Sequence, residues 1–221
     1  MARHKRGFDC RLATRALFKS DAAFRPWLKR IGAIDYSAGW KKPFDVTDAL
    51  ARAILYQQLS GKAAATIVGR VELAMGSHVF HHHSIGKLTD AQFRACGVSG
   101  NKTLALRDLA RREAAGEIPE TRQLQYMDNG QIIEALVPTR GIGRWTVEMM
   151  LMFRLGRPDV LPVDDLGIRK GVQLLDGLDA MPVPKALQER GGRWSPNQTM
   201  ASFYLWRIAD FRKEPVKRSQ D

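Results

Sequence analysis

Cysteine and long apolar runs are scarce in this chain of 221 residues, and each absence excludes a class of protein. The two cysteines, Cys10 and Cys96, are too few for a disulfide framework and form no C-x-x-C pair. No apolar run reaches the roughly 18 residues that a transmembrane helix needs. The basic start lacks the apolar segment and the cleavage site of a signal peptide, so we expect a cytoplasmic, nucleoid-associated protein.

Acidic residues are outnumbered by basic ones, 23 Asp and Glu against 35 Lys and Arg, which leaves a formal net charge of +12. A positive field of this kind attracts a phosphate backbone without choosing a base sequence. A soluble basic protein with no nucleic-acid role would carry the same charge. Charge alone therefore does not decide between these two interpretations.

Alternating strand patterns are absent as well, and helical periodicity dominates the chain. We predict helices at Ala49–Ser60 after a Thr47-Asp48 cap, Lys102–Ala115, Gln131–Val137, Arg144–Leu155, Leu166–Leu175, and from a Ser195-Pro196 cap to about Phe211. The predicted fold class is all-α, with two helical lobes and a cleft between them. The chain would form a single unit, 1–221, with lobe one at about 46–157, including a hairpin at 137–145, and lobe two at about 1–45 plus 158–221.

The most informative segment of the chain is the turn in which Gly141 and Gly143 bracket Ile142 just before a helical run. Glycine lets the backbone turn with φ > 0 and lets another backbone approach closely. The free N–H groups at the start of the following helix attract an anion such as a phosphate. Two carboxylates, Asp164 and Asp165, follow one helix later. The combination indicates chemistry on nucleic acid, whereas a tight turn between packed helices is the alternative.

Five short motifs carry a resemblance to a known family. The sequence runs T-R-G-I-G-R-W-T at 139–146, P-V-D-D at 162–165, Q-Q-L-S-G-K-A-A at 57–64, C-G-V-S-G-N-K at 96–102 and F-Y-L-W-R at 203–207. Taken in their order along the chain, they resemble the helix-hairpin-helix (HhH-GPD) DNA glycosylase superfamily, and within it the branch of 3-methyladenine DNA glycosylase II. The resemblance extends from about Pro43 to Arg207 and implies that the cleft between the two lobes binds DNA.

The resemblance implies an acid-assisted removal of a base from deoxyribose. Counting from Trp145, the alkylation-repair pattern places the catalytic acid at Asp165, whereas the broader superfamily pattern V-D-x-H-x-x-R matches Asp164 with Arg169. We favour Asp165 and keep Asp164 as the alternative. Trp145 stands where the glycosylase/lyases have the lysine that forms a Schiff base, so hydrolysis by water is expected. A fixed carboxylate would stabilise the oxocarbenium-like transition state.

The damaged base would be flipped into an aromatic pocket, because a cationic alkylated purine is attracted to the faces of aromatic rings. The expected pocket residues are Trp145, Met149, Trp206 and Gln57. Core packing is the alternative for Met149, and a buried amide bonded to backbone is the alternative for Gln57.

The gap that the flipped base leaves would be filled by Gln58, the family's intercalating position, or by its neighbour Leu59. Backbone phosphates would be bound by the hairpin and by the turn after the intercalating residue. The expected phosphate-binding residues are Gly141, Gly143, Arg144, Thr146, Ser60 and Lys62.

No cofactor is expected to be required. The family's hairpin often holds Na⁺ or K⁺ through main-chain carbonyls, and the matching residues here are Val137, Thr139 and Ile142. The lack of a four-cysteine tail excludes the iron–sulfur cluster of some relatives. His78 and His81–His83 have no acid or cysteine at metal-ligand spacing, so we expect a solvated loop rather than a metal site.

The predicted protein is therefore a monofunctional DNA glycosylase that excises alkylated purines of the 3-methyladenine and 7-methylguanine type in base excision repair. It would act on damaged double-stranded DNA as a monomer, without a membrane. Two alternatives stay open, a glycosylase of the same fold for a deaminated or oxidised purine, and a non-enzymatic DNA-binding scaffold.

Overall fold

A computed structural model describes residues 3–211 of the chain, where the regular elements are helices and no β-strand is present, as predicted. The helices begin with α1 (Cys10–Ser20), α2 (Arg25–Ile31), α3 (Ser37–Trp40), α4 (Val46–Tyr56), α5 (Gly61–Met75), α6 (His82–Gly86) and α7 (Asp90–Ala95). They continue with α8 (Gly100–Ala114), α9 (Thr121–Leu124), α10 (Asn129–Leu136), α11 (Arg144–Met150), α12 (Leu166–Asp176), α13 (Pro184–Gly191) and α14 (Gln198–Phe211). Within residues 3–211 no helix is long and apolar enough to cross a membrane.

The chain divides into two compact units, each with its own apolar core. The first unit comprises Met1–His4 and Pro43–Met150, and the second comprises Lys5–Lys42 and Leu151–Asp221. Fully buried side chains of the first unit include Leu50, Ile54, Leu55, Val71, Phe80, Phe93, Leu106, Leu109 and Val147. Those of the second include Leu17, Phe24, Ile168, Val172, Trp194, Tyr204, Leu205 and Ile208. The chain passes from one unit to the other after Met150, ahead of the predicted lobe boundary at 157/158.

The fourth helix corrects the prediction of a Thr47-Asp48 cap and a helix end at Ser60. Asp45 is the N-cap, because its Oδ1 accepts a hydrogen bond from the Asp48 N–H over 2.9 Å. The helix ends at Tyr56. Ser60 caps the next helix instead, by accepting a hydrogen bond from Ala63 N. Residues 57–59 therefore form a short turn rather than a last helical turn.

The last helix also begins differently from the prediction. Ser195-Pro196 is a cis peptide that lies outside the helix, and α14 begins at Gln198. Asp159 supplies the cap from 39 residues earlier, since its Oδ1 accepts a hydrogen bond from Gln198 N over 3.2 Å. Its Oδ2 accepts a second hydrogen bond from Ser195 Oγ over 2.7 Å. A cap from a distant side chain leaves no local signal in the sequence.

The predicted helix Arg144–Leu155 is helical throughout but changes type near its end. It is α-helical to Met150 and continues as a π-helical turn at Leu151–Leu155. Such turns widen the helix and are frequent at functional sites. In the second unit α12 packs against α14, which brings the start of α12 to the middle of the last helix.

Candidate active site

The hairpin between α10 and α11 is shaped by two glycines with different surroundings. Gly141 has φ +79°, and a Cβ there would lie 3.2 Å from the Cβ of Ala105. Gly143 has no atom within 4 Å of the place where its Cβ would be. Gly141 is therefore required by the fold, whereas Gly143 leaves open space at the start of α11.

Asp108 on α8 binds the backbone of the hairpin. Its Oδ2 accepts a hydrogen bond from Arg140 N over 2.9 Å, and its carboxylate pairs with Arg111 and Arg112. Burial alone would raise the pKa of Asp108, but the Arg140 N–H and the two guanidinium groups outweigh it and hold the pKa below its ordinary value. This ionised carboxylate fixes the backbone one residue before Gly141.

The residues predicted to hold a monovalent cation include a buried hydroxyl. Thr139 is 2% exposed, and within the described residues its Oγ1 has no hydrogen-bond partner. The Thr139 carbonyl accepts a hydrogen bond from Ile142 N over 3.0 Å, which closes the turn. Ile142 is buried and Val137 is partly exposed.

The helix that follows the hairpin begins with Arg144, which is predicted to bind phosphate. Arg144 Nε donates a hydrogen bond to Glu148 Oε1 over 2.9 Å, and Glu148 is buried although Arg144 is exposed. Trp145, at 50% exposure, is a large aromatic side chain at the surface of the first unit. Met149 is half-buried on the same helix, and Thr146 donates its N–H to the Gly143 carbonyl.

The turn between α4 and α5 contains the predicted intercalating residues. Gln58 has φ +57° and is the only non-glycine residue with a positive φ among residues 3–211. That conformation costs a residue with a side chain about 1–2 kcal/mol. Gln58 and Leu59 are both exposed, as are Ser60 and Lys62. A strained, exposed side chain is a common feature of functional sites.

Gln57 connects this turn to the hairpin. Its Nε2 donates a hydrogen bond to the Gly141 carbonyl over 2.8 Å. This contact agrees with the alternative interpretation of Gln57, in which its side-chain amide bonds to the backbone instead of facing the base. The structure therefore brings Gln57, Gln58 and the hairpin into one cluster within the first unit.

Lys102 is a member of this cluster that sequence reasoning assigned no role. Its Nζ donates hydrogen bonds to the carbonyl oxygens of Leu55 and Gln57, both over 2.8 Å. Burial lowers the pKa of Lys102 from its ordinary value. The only signal in the sequence was its place at the end of the motif 96–102.

Asp165 is held at the start of α12 in the second unit. Its Oδ1 accepts hydrogen bonds from Ile168 N over 2.9 Å and from Trp206 Nε1 over 2.8 Å. Asp164 is exposed. Arg169, the partner residue of the Asp164 alternative, donates its Nε to the carbonyl of Pro182 instead. Asp165 thus has the defined geometry that a catalytic carboxylate needs.

Gly167 makes room for the pair formed by Asp165 and Trp206. A Cβ at Gly167 would lie 2.8 Å from Trp206 Cδ1 and 3.1 Å from Asp165 Oδ1. The first of these separations is too short for any real side chain. A glycine at this position is therefore a condition for the hydrogen bond between indole and carboxylate.

Trp206 belongs to an aromatic cluster that sequence reasoning missed. Its ring is stacked on Phe153 with centroids 5.8 Å apart and an interplanar angle of 19°. Tyr36 lies 5.3 Å from Phe153 and 4.3 Å from Phe203. Phe153 comes from the π-helical turn and Tyr36 from the N-terminal segment, which no motif covers. Phe203 is buried, the other three rings are half-buried, and Trp206 connects the cluster to Asp165.

The site residues are divided between the two units. Trp145 and Met149 belong to the first unit, and Trp206 belongs to the second. The base pocket that these side chains were predicted to share stays a prediction.

The histidine-rich segment is not the solvated loop that we expected. His81 and His82 contact the carboxylate of Glu113, and the His82 N–H donates to it as well. His82 begins helix α6. Within residues 3–211 no group of three or more metal-ligating side chains could hold a metal ion. The segment is therefore part of the first unit's polar network.

Comparisons with known proteins agree with these features. The chain matches the model of the HhH-GPD superfamily base excision DNA repair proteins over residues 51–196. It is 37% identical over 183 residues to DNA-3-methyladenine glycosylase 1 of Schizosaccharomyces pombe, which covers 80% of this chain and 78% of that protein.

Two solved structures are similar as well. The crystal structure of a DNA-3-methyladenine glycosidase from Bacillus halodurans has a TM-score of 0.81 and 31% identity, covering 91% of each chain. The 3-methyladenine DNA glycosylase Mag1 of Schizosaccharomyces pombe, in complex with abasic DNA, has a TM-score of 0.73 and 32% identity, covering 89% of this chain and 95% of that chain. This chain belongs to the HhH-GPD superfamily of base excision DNA repair proteins.

Proposed function

We propose that this protein is a monofunctional DNA glycosylase that hydrolyses the N-glycosidic bond of alkylated purines in base excision repair. The observation that carries this proposal is the Asp165 carboxylate, fixed by Ile168 N and by the indole of Trp206. The similar proteins named DNA-3-methyladenine glycosylase support an alkylated base as the substrate.

The chemistry follows from a carboxylate that does not need to move. As the bond to the base breaks, positive charge develops on the sugar, and a preorganised negative charge stabilises it more than the ground state. Asp165 can also orient the attacking water. Trp145 has no amine that could form an imine with the sugar, so water is the nucleophile. An aromatic cluster beside Asp165 suits a cationic base, because ring faces attract positive charge.

Binding to DNA is assigned to the first unit. Gly143 leaves space for a phosphate at the start of α11, where free N–H groups and the helix dipole favour an anion. Arg144 and Lys62 are exposed and add positive charge, and Ser60 and Thr146 add polar groups. Gln58, with Leu59 beside it, is the side chain that would fill the gap left by a flipped nucleotide.

A monovalent cation at the hairpin is a further part of the proposal. Val137, Thr139 and Ile142 would bind Na⁺ or K⁺ through their carbonyls, and the buried, unpartnered Thr139 hydroxyl fits a nearby cation. Such an ion would neutralise carbonyl charge next to a bound phosphate. The affinity of the protein for abasic duplex can be measured in a K⁺ salt and in the salt of a large organic cation at equal ionic strength. The comparison tests the cation site independently of catalysis.

The decisive experiment incubates the purified protein with duplexes that each carry one damaged base and identifies the released base by mass. We expect release of 3-methyladenine and 7-methylguanine and no strand cleavage. Release of only a deaminated or oxidised purine would move the protein to another lesion. Absence of release from every duplex, with tight binding to abasic DNA, would instead identify a DNA-binding scaffold.

A further inference from the structure

Lys102 and Gln58 are linked through the backbone of the turn between α4 and α5. The Lys102 ammonium group donates to the carbonyls of Leu55 and Gln57, and Gln58 follows directly in the left-handed conformation. Building on the proposed function, we propose that Lys102 is a positioning residue that holds Gln58 in the conformation from which its side chain enters the base stack of DNA.

The identity of residue 58 conflicts with its backbone conformation. Left-handed residues at helix ends are usually glycine, and α5 and α12 follow this rule with Gly76 at φ +64° and Gly177 at φ +66°. Gln58 takes a similar conformation although it has a side chain, which is exposed. Glycine would relieve the strain but would have nothing to insert into DNA. The strain therefore has a function only if the side chain is used.

Lys102 compensates this strain at the place where it arises. A cation at the C-terminal end of a helix is favoured by the helix dipole. Here the Lys102 ammonium group donates hydrogen bonds to the two carbonyl groups that flank Tyr56. Among residues 3–211 no carboxylate forms an ion pair with Lys102, so its charge is directed at the turn alone. Gln57 ties the same turn to the Gly141 carbonyl. The turn is thus anchored to α8 on one side and to the hairpin on the other.

A double-mutant cycle tests whether Lys102 acts through Gln58. The variants are Lys102→Met, Lys102→Arg, Gln58→Gly and the double variant Lys102→Met/Gln58→Gly. Insertion is read from the fluorescence of a 2-aminopurine next to an abasic site in a duplex, and base release from single turnovers on 3-methyladenine duplex. We expect Lys102→Met and Gln58→Gly each to lower both signals about tenfold. Lys102→Arg should retain most of the wild-type signal, since a guanidinium can also donate to two carbonyls.

In the Gln58→Gly background, Lys102→Met should cause no further loss of either signal. An equal loss in both backgrounds would show that Lys102 acts elsewhere and would overturn the proposal. Lys185→Met, which removes an exposed lysine of α13, is the control for lost charge. If Lys102→Met does not fold, Lys102→Gln, which removes the charge but keeps an amide NH₂ group as donor, replaces it in the cycle.

Amide exchange gives a readout that does not depend on catalysis. The Leu59 N–H donates to the Tyr56 carbonyl over 3.3 Å, within the turn. Lys102→Met should speed exchange at Leu59 by tenfold or so while exchange in the core of α8 stays unchanged. Unchanged exchange at Leu59 would contradict the proposal. If the wild-type protein released no base at all, exchange and insertion would still test Lys102, so the two failures are distinguishable.

Discussion

The indole N–H of Trp206 donates a hydrogen bond to Oδ1 of Asp165 over 2.8 Å, although 41 residues separate the two in sequence. The same oxygen accepts the Ile168 N–H, so Asp165 is both a helix cap and a candidate catalytic group. Usually these two roles are alternatives for an aspartate at the start of a helix. Here they coincide, because a carboxylate fixed by capping is also preorganised for catalysis.

Asp165→Asn should separate catalysis from folding. Asparagine is as good an N-cap as aspartate, so the free energy of unfolding should change by less than about 1 kcal/mol. Loss of the negative charge should lower the single-turnover rate of base release by about 10²–10³ or more, while affinity for abasic duplex is retained. Asp164→Asn is the matched control, since Asp164 is exposed and adjacent. Wild-type release by Asp165→Asn with loss in Asp164→Asn would transfer the catalytic role to Asp164.

Gly167→Ala should impair base release without unfolding the protein. The added Cβ would lie 2.8 Å from Trp206 Cδ1 and would displace the indole from Asp165. Alanine favours the helix by about 1 kcal/mol, which offsets part of the cost, so unfolding should change little. The expected result is about tenfold slower release of the base in single turnovers. The emission maximum of the tryptophan fluorescence should shift as well, because the surroundings of Trp206 change.

The control for this substitution is Gly69→Ala. Gly69 lies within α5, and its Cβ would meet no atom within 4 Å. It should raise the free energy of unfolding by up to about 1 kcal/mol and leave base release unchanged. Equal behaviour of the two variants would show that the contact between Trp206 and Asp165 does not affect the rate.

The positions of most helices and the main motifs could be predicted from the sequence because they depend on local patterns. The all-α class, the helix after the hairpin and the Asp165 position at the start of α12 are examples. The start of the last helix was predicted wrongly because a distant residue decides it. Asp159 caps α14 from 39 residues away, and no pattern near Ser195 reveals this.

The contacts that organise the site could not be predicted for the same reason. Lys102 reaches the end of α4 from 45 and 47 residues away, and Tyr36 joins the aromatic cluster from a segment without a motif. A sequence pattern names residue types at a spacing, but not which carbonyl a lysine will bind. The strain at Gln58 is also invisible in sequence, because glutamine itself does not indicate a positive φ.

His81 and Glu113 should make stability depend on pH. Burial alone would lower the pKa of His81, but Glu113 outweighs it and holds the pKa above the ordinary 6.5. The contribution of His81 is therefore complete below about pH 6.5 and is lost as the pH rises through its raised pKa. His81→Gln should lower the unfolding temperature more at pH 6 than at pH 9, by about 2 °C for a partly exposed pair. An equal decrease at both pH values would contradict the pairing.

The control for the His81 experiment is His78→Gln. His78 contacts Glu72, but its side chain is 92% exposed, so solvent screens the interaction. We expect no resolvable difference between pH 6 and pH 9 for this variant. A pH-dependent loss as large as that of His81→Gln would assign the effect to general loss of positive charge.

Gly141 and Gly143 should respond differently to alanine, although only one residue separates them. Gly141→Ala requires a side chain at φ +79° and a Cβ 3.2 Å from Ala105, so it should lower the free energy of unfolding by about 1–2 kcal/mol. Gly143→Ala meets no protein atom and should cost at most about 1 kcal/mol, yet its methyl group would occupy the space proposed for a phosphate. Affinity for undamaged and abasic duplex, measured by anisotropy at fixed salt, should therefore fall for Gly143→Ala while chemical denaturation is nearly unchanged. Because phosphate contacts do not distinguish sequences, the loss should be equal for both duplexes. Full affinity of a folded Gly143→Ala variant would show that phosphate does not approach this end of α11.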